Sequence, residues 1–490
     1  MKNPIPPDIA RHRTRGTEIK RVGSHFYIQR IKCVWDKAKK KRRKVIVEYI
    51  GAVTAEGIKP KQARKVPVHA APHSVEFGAT WAARQLSGDV KTTLEKHFGQ
   101  DAAWIYATAL LRCVHPGAMR YTGHHYETSW LREAMPGLDV SSETLSQNMR
   151  RLGQNRDAIT AFMKEFVPGK DWYAILDGTV MTCNAKHIRE AQPGYNPHGR
   201  HDPQIRIMYG LALKDDGLAP VFYKRYPGCI PDVSAFRNTA NAMGLVSALI
   251  LADKAFPTKH ECRRLAAEGL QYIMPLRRNS AEYSRAALQQ PGRTGFQGRF
   301  RYNGRMVWFH QEPHAADAEH TCILYLDEDL YNSETRSRVR GKLDGEKPAA
   351  VLASARKQLE FGTFALKTNL FAKTPEEIYR AYKKREEVEQ LFDMYKSELQ
   401  FATTGMHSAE TQEACLFLNH LAVMMAYRFQ DRLQRNGWLK QYAVQKTLEH
   451  LLKDIRATRF GSGAWQLEPV PKAARLALEA IGLTLPETPG

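Results

Sequence analysis

The chain has 490 residues, 43% of them hydrophobic, and its 73 Lys and Arg against 51 Asp and Glu give a net charge of +22. Such a composition excludes an intrinsically disordered protein, and the lack of any run of about 18 apolar residues excludes a membrane-spanning helix. The cation excess points to a polyanionic partner, nucleic acid before acidic lipid, for a chain long enough to hold two to four domains. Its seven cysteines stand singly, with no Cys-x-x-Cys pair. This argues against a zinc ribbon or a disulfide framework and for a reducing, cytoplasmic compartment. Met1 to Arg15 lacks the apolar core of a signal peptide.

Residues 25–51 read as a β-hairpin, because Phe26–Trp35 and Val45–Ile50 are rich in β-branched and aromatic residues. Between them, Lys37–Lys44 holds seven cations, among them Lys39, Lys40, Lys41, Arg42 and Arg43. A tip of this kind suits phosphate contacts, which supply affinity without reading sequence. A solvated turn kept soluble by its lysines is the plainer reading. Residues 52–72, rich in Gly, Pro and Lys, follow as a linker and complete an arm over 1–72.

Residues 73–166 have helical spacing and form a candidate DNA-binding domain. Ser141–Gly153 is its most DNA-like helix. Serine supplies an N-cap, Leu145, Met149 and Leu152 form the buried stripe, Gln147, Asn148, Arg150 and Arg151 face out, and Gly153 is placed as the stop. Gln and Asn can read adenine edges and Arg can read guanine. A helix-turn-helix reader and an ordinary bundle helix both fit this pattern.

From residue 167 the pattern changes. Trp172–Asp177, Ile205–Leu213 and Ala219–Tyr226 read as strands, Asp232–Met243 as a helix, Leu245–Asp253 as a buried strand, Lys259–Glu268 as a helix and Gln271–Leu276 as a strand. The order β-β-β-α-β-α-β predicts an α/β fold with a mixed sheet covered on both faces. Residues 278–360, with short strands at 296–302, 305–310 and 321–326, read as a mostly β insertion subdomain between two parts of the sheet domain, 167–277 and 361–400. Residues 401–490 read as a helical C-terminal region.

The stretch Glu376–Leu399 is strongly helical, without Gly or Pro. At roughly 100° per residue, Tyr382, Arg385, Glu389 and Lys396 share an arc of about 60° beside an apolar stripe. One carboxylate, two cations and a phenol suit a metal ion held next to phosphate oxygens, although ordinary ion pairs on a solvated face would look alike. Asp177 and Asp253 each close an apolar strand, where side chains emerge at a sheet edge. Three carboxylates would repel one another and raise their pKa unless hard cations such as Mg²⁺ were bound among them. Two such ions about 4 Å apart can activate an attacking oxygen and stabilise a leaving one in phosphoryl transfer. His124, His125, His187, His198 and His201 lack ligand spacing and read as surface or phosphate-contacting residues.

Together these residues resemble bacterial DDE transposases of the insertion-sequence-4 superfamily. Tyr382-x2-Arg385-x3-Glu389-x6-Lys396 matches the Tyr-Arg-Glu-Lys signature, Asp177-Gly-Thr resembles the first-aspartate motif, and Ala252-Asp253-Lys-Ala-Phe resembles the second. The likeness spans residues 20–430 and includes the β-rich insertion and the polar run 194–204. Cys229 departs from it, standing in a loop where Asn is expected. The resemblance implies an RNase H-like catalytic fold and a cut-and-paste enzyme that cleaves transposon ends and joins the freed 3′-OH to target DNA. It implies that Asp177, Asp253 and Glu389 hold two Mg²⁺ ions, with Mn²⁺ able to substitute. Arg385 and Lys396 would contact phosphates and Tyr382 would donate a hydrogen bond. Double-stranded DNA is the implied partner, and a homodimer follows from the need to pair two ends. Trp308 is a candidate for stacking on an extruded base, or for packing the insertion's own core. A nuclease on the same fold that does not join DNA, and a non-enzymatic DNA-binding descendant of a transposase, are the alternatives.

Overall fold

The structure, a computed structural model, describes residues 5–36, 41–60, 73–169, 172–183, 185, 187–194, 202–214, 217–245, 248–251, 259–312, 319–341, 359–384, 406–438, 442–461 and 463–489. The chain divides into two compact units, residues 1–73 with 460–463, and residues 74–459 with 464–490. Among the described residues no helix is long and apolar enough to cross a membrane.

In the first unit, β1 (Thr17–Val22), β2 (His25–Asp36), β3 (Lys41–Thr54) and β4 (Gly57–Pro60) form an antiparallel sheet in that order. Ile9, Ile19, Ile28 and Val53 make its small core. The sequence reading of 25–51 as a two-stranded element omits β1 and β4, which are short and largely polar. β1 supports β2 only as far as Arg30, and β4 supports β3 only from Gly51. Beyond them, Lys32–Asp36 and Lys41–Val45 continue as a two-stranded ribbon. Two register shifts in the β2–β3 pair leave Val47 and Ile50 without an opposite residue. Such bulges sharpen the right-handed twist of a strand pair.

The second unit, from residue 74, begins within β5 (His73–Glu76) and continues with the helices α1 (Gly78–Leu86), α2 (Gly88–Phe98), α3 (Ala102–Val114), α4 (Ser142–Gln154) and α5 (Arg156–Lys164). Helix α4 starts where its serines predict, with Ser141 accepting the Thr144 N–H at 3.4 Å, and it buries Leu145, Met149 and Leu152. Gly153 does not stop it; the helix runs on to Gln154 and Gly153 is buried. A Cβ at this position would run into the Glu410 carbonyl. Glycine is needed here for close approach of two backbones and not for a left-handed turn.

Next comes a nine-stranded sheet built from β6 (Trp172–Thr182), β7 (Gln204–Lys214), β8 (Gly217–Pro227), β9 (Ala248–Leu251), β10 (Gln271–Leu276), β11 (Gly298–Tyr302), β12 (Arg305–Gln311), β13 (Thr321–Asp327) and β14 (Thr363–Thr368). Its spatial order is β11-β12-β13-β14-β10-β9-β6-β7-β8. The centre is parallel, β6 to β9 and β9 to β10, and the flanks are antiparallel. This is the mixed sheet expected from the element order, with α6 (Asp232–Met243) and α7 (Lys259–Ala267) between its strands in sequence. The strands of the insertion, β11–β13, extend this sheet through the β13–β14 pairing and do not form a sheet of their own. Helix α8 (Glu328–Gly341) follows β13, and α9 (Pro375–Lys383) follows β14.

The core is closed by α10 (Ala409–Arg435), which packs against α3, α4 and β8. Nearly every residue from Gln412 to Phe429 is buried. The last part of the chain is not wholly helical: β15 (Arg456–Arg459) and β16 (Gln466–Leu467) join β5 in a three-stranded sheet before α11 (Lys472–Ala480). His420, on α10, lies beside the rings of Tyr209 and Tyr223, and neither of its nitrogens has a hydrogen-bond partner among the described residues. Burial holds its imidazole down at about 3, and that of His115 likewise. The unfolded chain takes up these protons near 6.5, the folded chain not until about 3. Stability is therefore complete above pH 6.5 and falls as pH drops through that window. Melting temperatures followed from pH 7.5 to 5 should decline in the unaltered protein and less steeply in His420→Phe. An unchanged slope would remove His420 from this account.

Candidate functional site

Asp177 lies on β6, opposite Tyr209 of β7. Ala174, Ile175 and Leu176 are buried in succession along this strand. Ile175 and Thr179 are buried on either side of Asp177, whose own side chain is half-buried. Its Oδ1 accepts the Gly178 N–H at 2.8 Å, which orients the carboxylate against its own backbone. Asp177 is not the last residue of its strand, as the sequence suggested, because β7 keeps pairing with β6 as far as Thr182↔Gln204. It lies instead beyond the described rungs of the parallel ladder. The last described rung between β6 and β9 is Ile175↔Leu251, and Leu251 also pairs with Ile273 of β10. Asp177 stands two residues past Ile175, and Asp253 stands two residues past Leu251 in sequence. Asp253 itself lies outside the described residues.

Helix α9 opens with a capping box. Thr374 Oγ1 accepts the Glu377 N–H at 3.3 Å, and Glu377 Oε2 accepts the Thr374 N–H at 2.9 Å, with Pro375 in the first turn. That backbone bond, Lys373 at 3.0 Å and the Thr374 hydroxyl bring the exposed Glu377 carboxyl down to about 2. Tyr379 is the anchor of the helix. Its ring lies 5.2 Å from Phe300, Tyr302 and Tyr325, and its hydroxyl donates to Asp327 Oδ2 at 3.2 Å. Tyr382, one turn on, is half-buried with its ring 6.2 Å from Phe364 on β14. The described part of this segment ends at Lys384, so Arg385, Glu389 and Lys396 lie outside it. A groove lined by Trp172, Tyr173, Leu249, Gln271, Lys373 and Lys384 occupies the opposite, starting ends of the parallel strands and does not include Asp177.

The other candidates are scattered. Lys41, Arg42 and Arg43 are exposed on β3 in the first unit, and Lys39 and Lys40 lie outside the described residues. Arg150 is exposed on α4 near His407 and Ser408. Arg151 is exposed too, but its Nε donates to Asp101 Oδ2 at 3.2 Å, which raises the guanidinium pKa and occupies the charge. Trp308 is engaged within the insertion. Its Nε1 donates to Glu328 Oε1 at 2.7 Å, Phe296 stands edge-on at 6.4 Å, and the Arg299 guanidinium lies over its ring at 5.1 Å. Cys229 is exposed and its thiol donates to Gln192 Oε1. His125 stacks on His115 with centroids 4.4 Å apart, while His198 and His201 lie outside the described residues.

One cluster was not singled out from the sequence. Glu282, His320 and Cys322, all half-buried, bring ligand-type atoms within 4.8 Å of one another. Cys322 is paired with Lys367 across β13 and β14, so both project from one face, and the Lys367 ammonium already holds Glu282 at 2.9 Å. Burial pushes the Cys322 thiol up to about 11. Glu282 is about 40 residues from the other two in sequence, so only the sheet register brings them together.

Comparison with known families gives one match. The model of the transposase DDE domain fits residues 168–425, more than half of the chain. The matched segment starts just before β6, ends within α10 and contains Asp177, Asp253 and Glu389. No curated protein matches the chain.

Proposed function

We infer the activity from one premise: the chain belongs to the transposase DDE domain family. It is thus a transposase, an enzyme of the nuclease and transferase kind whose partner is DNA and whose family generally uses divalent metal ions. Within that frame we propose that Asp177, Asp253 and Glu389 are its catalytic carboxylates. The spacing Tyr382-x2-Arg385-x3-Glu389-x6-Lys396 supports membership of the insertion-sequence-4 superfamily, an RNase H-like reading of the sheet, and cut-and-paste transposition.

The observation that carries this assignment is the strand register. Asp177 and Asp253 stand at the same offset in sequence from one described rung, Ile175↔Leu251, of a parallel strand pair. Adjacent parallel strands carry equal offsets to the same sheet edge. The donor set fits the expected metal, because Asp177 is a half-buried carboxylate already oriented by a backbone N–H, and hard oxygen donors suit Mg²⁺. Asp177, Asp253 and Glu389 would hold two Mg²⁺ ions, which supply activation of the attacking oxygen and stabilisation of the leaving one. The chain's own residues bind and orient the DNA. Arg385 and Lys396 neutralise phosphate oxygens beside the scissile bond and Tyr382 fixes one of them by a hydrogen bond. The protein acts as a homodimer when two ends are paired.

The test uses the purified protein and linear DNA carrying the ends of its own element, scored for cleavage and joining with Mg²⁺, with EDTA and with Glu389→Gln. Metal-dependent excision and joining, lost in the variant while DNA binding persists, is the expected result. Cleavage without joining would replace this reading with a nuclease. Binding without cleavage under any divalent ion would replace it with a non-enzymatic descendant.

A further inference from the structure

The ribbon of the first unit presents a pattern that phosphate contact alone does not require. Its four outer rungs with described side chains are Lys32↔Val45, Cys33↔Lys44, Val34↔Arg43 and Trp35↔Arg42. Each sets a cation opposite an uncharged, largely apolar residue. The last three place Cys33, Val34 and Trp35 on β2 and Lys44, Arg43 and Arg42 on β3. One edge of the ribbon is thus apolar and the other cationic.

These side chains are open to solvent: Val34 is 46% exposed, Trp35 57% and Val45 41%. Nearer the base, Ile46 is 57% exposed. Two cations are occupied, Arg30 at the base by Glu48 at 3.1 Å and Lys44 on the ribbon itself by Glu18 at 3.0 Å. Lys32, Arg42 and Arg43 form no ion pair among the described residues. A solubilising arm would have no reason to expose a tryptophan and several aliphatic side chains together. A surface built for a second copy of the chain would not set a cation on every rung.

We propose that this ribbon enters the major groove of duplex DNA, with β3 along the phosphates and β2 towards the base edges. The proposal rests on the DNA-processing reading above. The major groove, about 12 Å wide, admits a two-stranded ribbon. Phosphates line its wall, where Arg42 and Arg43 lie, and base edges and thymine methyls line its floor, where Val34 and Trp35 lie. Five residues of strand reach about 17 Å, and the bulges at Val47 and Ile50 give the ribbon extra twist where it leaves the sheet. The ribbon therefore binds by shape and apolar contact as well as by charge.

The test measures binding of the full-length protein to labelled duplex carrying the element's ends, across a series of salt concentrations. Arg42→Ala with Arg43→Ala should weaken binding and lower the slope of log affinity against log salt by about two. Val34→Ser with Trp35→Ala should weaken binding roughly tenfold at every salt concentration and leave the slope unchanged, because no phosphate contact is lost. Both pairs are exposed, and melting curves would verify folding. Binding by the apolar variant equal to that of the unaltered protein would overturn the inference while leaving the DNA-processing reading intact. So would loss of self-association, seen by sedimentation, with DNA affinity preserved. Absence of DNA binding by the unaltered protein would overturn both.

Discussion

Asp177→Asn is expected to lower strand cleavage by at least about a thousandfold, equivalent to about 4 kcal/mol of lost transition-state stabilisation. Asparagine keeps the shape and the oxygen that accepts the Gly178 N–H, so β6 and its ladder with β7 should survive. What goes is the negative charge that a hard cation needs. DNA affinity and melting temperature should stay close to those of the unaltered protein. Asp177→Cys separates a metal ligand from a structural residue, because a thiolate accepts Mn²⁺ more readily than Mg²⁺. Its cleavage should recover in part with Mn²⁺ and not with Mg²⁺. Activity of Asp177→Asn within about tenfold of the unaltered enzyme would sink the assignment.

A second large effect is expected where α10 packs on the sheet. Glu413 of α10 is buried, its Oε1 accepting the Tyr223 hydroxyl at 2.9 Å and its Oε2 accepting Arg225 Nε at 2.6 Å. Gln412 takes a further Arg225 hydrogen bond at 3.0 Å. These contacts fasten α10 to β8. Burial and the adjacent carboxylate push the Tyr223 phenol well above its ordinary range, so it stays a donor. Glu413→Ala should destabilise the protein by about 3 kcal/mol, since it strands a buried guanidinium. Urea denaturation would measure this. Glu413→Leu combined with Arg225→Met should recover much of the loss, because an apolar pair carries no desolvation cost. A loss below about 1 kcal/mol for Glu413→Ala would show that Glu190, 3.4 Å from Arg225, suffices as its partner.

Much of the sheet was legible in the sequence. Asp232–Met243 and Gln271–Leu276 have the bounds that periodicity gives, and β7, β8, β12 and β13 differ from theirs by a residue or two. These segments are apolar over a full strand or helix length, where the period is clear. The failures have physical reasons. β6 outlasts Asp177 because a neighbouring strand, not its own composition, decides where pairing ends. Gly153 looks like a stop in one dimension, and only the approach of the Glu410 backbone shows its purpose. Strands β15 and β16 are too short to show a period. At the candidate site, the residue types and spacings were legible. The register that sets Ile175 opposite Leu251 at the end of β9 was not, since parallel pairing is set by the elements between the strands.

The burial of α10 on every side bears on how the protein is made. Ribosomes deliver the nine sheet strands and helices α1–α9 before the helix that fills the space between them. Until about residue 435 has emerged, α4 and β8 face water with the apolar and ionic groups that later meet α10. The first unit, by contrast, has all four of its strands by residue 60. A nascent chain thus carries all four strands of the basic sheet for most of its synthesis, while the core of its second unit stays incomplete. A message cut short before α10 should yield a chain with that sheet and an incomplete core, a substrate for proteases and not a partially active enzyme.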